Sequence, residues 1–511
     1  MKGLKTTVCA LSLLMVASLA SCGGGNKDVE LDENWEGSIT WWHTYQEDPT
    51  PDDDSDNKNY ALYYYAKGVA DEFMKANPKI KVKLVFKGSK QNDYYGVSQE
   101  VAKGIPTGDV PNMVTTYGTY VYGWAKDGAI ADVSAHAETL KADSDYNKGY
   151  LDSEINQYGN KYYSLPYSKS AEALMLNAEV MKAGAREAAG ADAGKYVAPV
   201  AGASKKAYAN VDSFEGLMDL AKTMKTDYPE VFASQKKDGN FEAVPVIYED
   251  AANMFITLLE SKGIPFVTND ENPVNALKFV NDQKAKDLAV QLTKWNHEGL
   301  LATKNNLRMS GQYHDYPSNL FAEGKCFAII ASTTGAPWMA GDGYSVSWNE
   351  VPKFDASSSK KVISQGPSLA FFNKKDKNEL AASLKFYDFL TNKANTASLA
   401  VKTNYFPVRK SALEDESVKE LREAAKKEIT YETSYADKKN AYGGKVFDLD
   451  EAYNKNGNYF MSPVFSLSDK ARTAANNMIT ALFDDVNATT DEQIKKLVDD
   501  QFAAAKKYIL E

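Results

Sequence analysis

Apolar and polar positions alternate along Ile80-Lys81-Val82-Lys83-Leu84-Val85-Phe86, the two-residue period of a strand, before the break at Lys87-Gly88. Upstream, Ala66, Val69, Ala70, Phe73 and Met74 recur at helical spacing. They predict a helix from about Tyr60 to Lys75, stopped by Asn77-Pro78. Gly37-Ser38-Ile39-Thr40-Trp41-Trp42-His43 is a β-rich run, so strand, helix and strand follow one another with short breaks. That order makes a βαβ unit, hence a parallel sheet and an α/β fold class. A second unit follows: a helix Tyr94 to Ala102, a strand Asn112 to Thr116, and a helix around Tyr120 to Lys126 that ends at Gly128. Residues 184–210 are rich in Ala and Gly, show no pattern, and read as an exposed elaboration. Val211-Asp212-Ser213-Phe214-Glu215 opens a helix, with Asp212 as cap and Glu215 three residues on. Long helical patterns recur at Asn275–Glu298, Asn378–Asn392, Asp469–Val486 and Asp491–Leu510.

The first residues have a different character. Lys2 and Lys5 precede an apolar stretch from Val8 to Leu19, too short for the roughly 20 residues of a membrane span. Leu19-Ala20-Ser21-Cys22-Gly23 at its end resembles a bacterial lipoprotein signal. That resemblance implies removal of residues 1–21, a lipid on the Cys22 sulfur, and a site of action on the outer face of the cell membrane. Residues 22–36 lack hydrophobic periodicity and read as a flexible tether. Removing residues 1–21 takes away two lysines and no acid, which moves the formal charge from −10 to −12. A chain this acidic is a poor partner for nucleic acid or anionic lipid. The lipid is then the only expected membrane anchor.

Of three cysteines, Cys9 falls in the leader and Cys22 carries the lipid. Cys326, in Gly324-Lys325-Cys326-Phe327, is left without a disulfide partner and reads as a buried structural thiol. The mature chain of 490 residues is too long for a single core, so two or more domains are expected. An acidic loop, Glu47 to Asp56, spaces Asp52, Asp54 and Asp56 like a calcium loop. Its sixth position is Asn57 rather than Gly and its twelfth is Tyr63 rather than Glu, so it reads as a solvated loop.

Eight blocks, in order across residues 38–410, resemble extracellular solute-binding proteins of ABC importers, in the maltose-binding-like family. They are Ile39-Thr40-Trp41-Trp42-His43, Phe73 to Val82, Gly108 to Val114, and Lys161 to Ser168 continuing to Asn177. Phe321 to Lys325, Thr334-Gly335-Ala336-Pro337-Trp338, Gln365 to Leu369, and Asn404 to Arg409 complete the set. The resemblance implies two α/β lobes with a ligand cleft between them: residues 37–164 plus 336–363 in the first lobe, and 165–335 plus 364–511 in the second. Crossings are expected near 164–170, 331–336 and 363–368. It also implies a monomer that closes on a small carbohydrate and delivers it to permease subunits, with no cofactor, no metal and no catalysis.

Sugars present apolar C–H faces and a rim of hydroxyls, so aromatic side chains with polar neighbours suit them. Trp338 lines up with a ligand-stacking tryptophan of the family, and Tyr405 with a cleft-facing tyrosine. Trp42 and His43 leave the first strand at the cleft edge, Trp42 as core or contact and His43 as a polar contact. Ser168 and Ser170 lie just past the first crossing, where hydroxyls can pair with a polyol or cap local backbone. Gly366 matches a position where the family's backbone approaches ligand. Tyr94 and Tyr117 are further candidates, while Trp295 sits in a helical pattern and reads as core. The branch that binds glycerol 3-phosphate or its diesters shares several blocks, and Arg472 is the residue a phosphate would recruit. That branch carries an acid where Thr116 precedes Tyr117-Gly118-Thr119 here, which favours a neutral sugar. A surface glycoside hydrolase is the rival from another class, since acids are plentiful enough for a catalytic pair. The chain has no Gly-x-Ser-x-Gly or His-Glu-x-x-His motif.

Overall fold

The computed structural model describes residues 29–49, 60–156, 158–178, 211–232, 240–268, 272–307 and 316–511. Cys22 with its leader, most of the acidic loop and residues 184–210 lie outside them.

Ten strands build two five-stranded sheets. In chain order they are β1 (Gly37–His43), β2 (Ile80–Phe86), β3 (Met113–Thr116), β4 (Ser164–Pro166), β5 (Glu172–Asn177), β6 (Val246–Tyr248), β7 (Leu301–Thr303), β8 (Ala328–Ser332), β9 (Val346–Asn349) and β10 (Ser368–Phe371). The first sheet runs β2-β1-β3-β10-β4 and the second β9-β5-β8-β6-β7. β1 is parallel to β2 and β3, as the βαβ reading requires, and β10 runs antiparallel between β3 and β4. Helix α1 (Ala61–Ala76) covers the first sheet with Leu62, Tyr65, Ala66, Val69, Ala70 and Phe73, the period-3.6 stripe seen in the sequence. It ends where the Asn77 amide bonds back to Phe73 O at 2.8 Å and Pro78 follows. Trp295 and Cys326 are both buried, as expected.

Strand pairing redraws the expected lobes. β9, expected in the first lobe with residues 336–363, pairs with β5 in the second sheet. β10, expected in the second lobe, lies inside the first sheet, and the Phe386 ring of the helix Lys377–Leu390 packs on Trp41 of β1 at 6.0 Å. The expected crossing at 331–336 is therefore absent: β8 passes through a 3-10 helix, Thr333–Met339, and returns to its own sheet as β9. Gly335 and Pro337 mark that short helix, not a crossing. The chain does cross between β4 and β5, and again between β9 and β10. Ser170 pairs with Gln365, joining these two crossings, and Lys169 pairs with Phe406, bringing in a third segment.

Two helix expectations also change. The run at 275–298 is broken: Asp282 accepts from the Lys284 amide at 2.7 Å and starts a new helix, Gln283–His297. Ser213, not Asp212, caps the helix Phe214–Asp227 by accepting from the Gly216 amide, while Asp212 pairs with Lys353 at 3.2 Å.

At the centre of the crossings Lys169 and Glu154 form a buried ion pair of 2.7 Å. Glu154 also accepts from Ser164 Oγ at 2.6 Å and Ser368 Oγ at 2.5 Å, tying β4, β10 and the first crossing together. Among the described residues no helix is long and apolar enough to cross a membrane.

Candidate ligand-binding cleft

In the first sheet, β1 has β2 on one side and β3 on the other, so strand order reverses at the β1–β3 boundary. Open α/β sheets hold ligands at the carboxyl ends of strands flanking such a reversal. His43 and Thr116 occupy those ends. Helices α2 (Tyr94–Gly104) and α3 (Gly118–Lys126) begin at the same edge, and Asp93 caps α2 by accepting from the Gly96 amide. Tyr94 and Tyr117 therefore meet edge to face, with ring centroids 4.8 Å apart. Tyr405 joins them: its phenol is pushed up to about 12 by burial, against a hydrogen bond with Tyr94. Three of the expected site residues are thus brought together in one aromatic wall.

The facing wall comes from the second lobe and holds groups the sequence reading missed. Glu172, at the start of β5, accepts from Tyr248 OH at 2.5 Å and from Asn253 Nδ2 at 2.7 Å. Burial pushes its carboxyl up to about 8, although both hydrogen bonds act the other way. Asn253 Nδ2 also donates to Gln365 Oε1 at 3.2 Å, which links this wall to the second crossing. Helix α4 (Ala251–Ser261) positions Asn253, and Asp250 caps it by accepting from the Asn253 amide at 2.7 Å. Arg472, on helix α5 (Ser468–Asp484), donates to Asn253 Oδ1 and stands 3.8 Å from Asp250. Its charge reaches across the cleft: burial raises the Tyr117 phenol, and Arg472 and Asp250 are among the groups acting on it. Tyr120 is raised to about 12 by burial, then by Asp469, with Arg472 opposing.

The remaining expected residues have other placements. Trp42 is core, at 7% exposure, packed with Val97, Val114, Val121, Trp124 and Phe372. Strand alternation turns it to the face opposite Trp41. Its outer ring face carries the Lys87 ammonium, 4.2 Å from the centroid. His43 is fully buried. Ser168 and Ser170 are buried in the crossing, where Ser170 pairs through its backbone. Gly366 is needed by the crossing itself: a Cβ there would lie 2.1 Å from Ser168 O, and its φ of +98° is a glycine conformation. Trp338 stands 47% exposed on the 3-10 helix after β8.

Glu172 had one signal in the sequence: it is the lone charge in the apolar run Ala171-Glu172-Ala173-Leu174-Met175-Leu176. A charge in a central strand needs partners or a purpose. Asn253 and Asp250 had none, because their roles come from meeting β5 and α5 in space.

Comparison with known proteins agrees with this architecture. Over 215 residues the chain is 23% identical to the sn-glycerol-3-phosphate-binding periplasmic protein UgpB of Rhizobium meliloti. That match covers 41% of this chain and 48% of the relative, so the chain spans about half the length of the curated relative it matches. Among solved structures, UgpB from Mycobacterium tuberculosis in complex with glycerophosphocholine is similar at a TM-score of 0.61 and 18% identity, over 93% of this chain and 98% of that one. An ABC substrate-binding protein of Listeria monocytogenes in complex with cycloalternan gives 0.59 and 16%, over 92% and 98%. A maltose/maltodextrin-binding domain of Bdellovibrio bacteriovorus bound to maltotriose gives 0.57 and 12%, over 92% and 99%. At these identities the structures show a shared two-lobed fold. Residues 68–426, well over half of the sequence, match a single family, and the chain belongs to the bacterial extracellular solute-binding proteins.

Proposed function

We propose that this protein captures a neutral mono- or oligosaccharide in the cleft and delivers it to the permease of an ABC importer, held at the membrane by a lipid on Cys22. The observation that carries the sugar is the pairing of walls. Tyr94, Tyr117 and Tyr405 offer flat rings with hydroxyls, while Arg472 and Asp250, which act on Tyr117, are joined to the hydrogen-bonding network of Asn253, Glu172 and Gln365. Arg472, the cation of this wall, already faces Asp250 and Asn253. A phosphate would have to compete with that carboxylate, whereas a hydroxyl can join the network without disturbing the charge balance.

The crossings supply the mechanism. A ligand that touches both walls is bound fully only when the lobes are closed, so it shifts the population toward closure. Micromolar affinity, about −8 kcal/mol, suffices for capture and still permits release. A second reading, a glycerophosphodiester, draws support from the position of Arg472 opposite Tyr117 and from the named relative in Rhizobium meliloti.

Thermal-shift titration separates them. Glucose, maltose and maltotriose are tested against glycerol 3-phosphate and glycerophosphocholine. A neutral sugar at a hundred times its Kd raises stability by about 2.7 kcal/mol. A shift with the phosphate compounds alone overturns the sugar reading. Turnover of an oligosaccharide by the purified chain overturns the receptor reading.

A further inference from the structure

The two ring nitrogens of His43 have unequal surroundings. Nδ1 accepts the Tyr45 amide hydrogen at 3.1 Å, which puts the imidazole proton on Nε2. Nε2 is buried and meets no acceptor among the described residues. Burial, the larger influence, lowers the imidazole to about 4 against the opposing Tyr45 backbone bond, so the ring is neutral at ordinary pH. An imidazole N–H can donate and cannot accept. Left without an acceptor, such a buried donor costs about 1–3 kcal/mol.

Around it the hydroxyls are paired: Tyr45 OH interacts with Tyr167 and Thr115, and Thr44 with Tyr94. The rings of His43, Tyr45 and Tyr167 surround Trp41 with centroids 5.8, 5.9 and 5.8 Å away. Trp41 itself is satisfied, donating from Nε1 to Thr115 Oγ1 at 2.8 Å. Tyr45 lies close enough to Tyr117 and Tyr405 to feel both phenols, so the cluster adjoins the aromatic wall. A buried donor without an acceptor is rare in folded interiors, and His43 Nε2 lies at the strand-order reversal, where open α/β sheets hold ligands.

We propose that His43 determines specificity in the first lobe: its Nε2–H is a fixed donor to an uncharged ligand oxygen, a hydroxyl or ring ether. The proposal rests on the neutral-sugar reading. It adds a fixed polarity to the site, because a hydroxyl can rotate to suit a donor or an acceptor while the imidazole cannot.

Imidazole-labelled full-length protein provides the test, with whichever of glucose, maltose and maltotriose binds. In the ligand-free chain the His43 resonances report the Nε2–H tautomer. Saturating sugar is expected to move the Nε2 proton while the tautomer stays. Two variants extend it. His43→Asn keeps an acceptor near Nδ1 for the Tyr45 amide and loses the distal donor, and should weaken binding about tenfold. His43→Gln restores a donor further out and should recover much of that loss. An unmoved Nε2 signal, an Nδ1–H tautomer, or unchanged affinity in His43→Asn overturns the proposal, and a His43→Gln chain as weak as His43→Asn does the same. If none of the three sugars binds the wild-type chain, the sugar reading fails first and the proposal falls with it.

Discussion

Replacing Lys169 by Met removes one half of the ion pair that fastens the crossings. Glu154 would keep Ser164 Oγ at 2.6 Å and Ser368 Oγ at 2.5 Å but lose the ammonium at 2.7 Å, with both side chains 4% exposed. Breaking a pair this buried costs about 3–5 kcal/mol, because the remaining charge is uncompensated. The pH dependence identifies the cause. In the wild-type chain burial raises the Glu154 carboxyl, but Lys169 and the serine hydroxyls outweigh it and hold the group below its ordinary value. Its contribution is therefore present above the unfolded value of about 4.3 and lost as pH falls through the lower folded value. Without Lys169 burial prevails, the folded value moves above the unfolded one, and protonation relieves the variant as pH falls. Urea unfolding followed by far-ultraviolet circular dichroism at pH 7 and pH 5 should show a smaller deficit at pH 5. The double variant Glu154→Gln/Lys169→Met should be more stable than Lys169→Met at pH 7. An equal deficit at both pH values, or a double variant no better than the single, refutes the reasoning.

Glu172 gives the opposite slope: with its carboxyl raised to about 8, the folded chain binds more protons than the unfolded chain between about pH 4.3 and 8, so stability should fall as pH rises through that window. Glu172→Gln should flatten that part of the profile in urea titrations, and an unchanged profile would assign the slope elsewhere. Trp338→Ala should weaken sugar binding by about tenfold or more in calorimetric titration. Since the indole is 47% exposed, the variant's ligand-free stability should stay within about 0.5 kcal/mol of wild type; unchanged affinity removes Trp338 from the site.

The elements that were legible in the sequence are those whose faces differ. α1 and β2 each show one periodic apolar face, so residues 61–86 could be read locally. The 22-residue helix Tyr435–Asn456 escaped because its buried positions include Lys438, Gly443, Gly444 and Asp450, which break any apolar stripe. Lobe assignment failed at β9 and β10 for another reason. Both are four-residue strands, too short to reveal which sheet they join. Among the candidate site residues, Tyr405 was named through the family resemblance and Tyr94 and Tyr117 as further candidates, and only the fold shows that the three rings lie together. Asp250 caps its own helix locally, but Asn253 meets Glu172 and Arg472 across more than 80 residues, and Asp250 meets Arg472 the same way.

The crossing at Phe406 has a mechanical corollary. Phe406 is paired with Lys169, so its neighbour Tyr405 rides almost on the axle about which the lobes would turn. Rotation displaces a point in proportion to its distance from the axis. In the proposed closure Tyr405 would keep its place, while Arg472 would travel with its lobe. A solute entering the open cleft would meet a stationary berth at the joint before the moving jaw arrives. Arrival and retention would then be governed by different residues, and substitutions at Tyr405 and Arg472 should separate in association and dissociation rates.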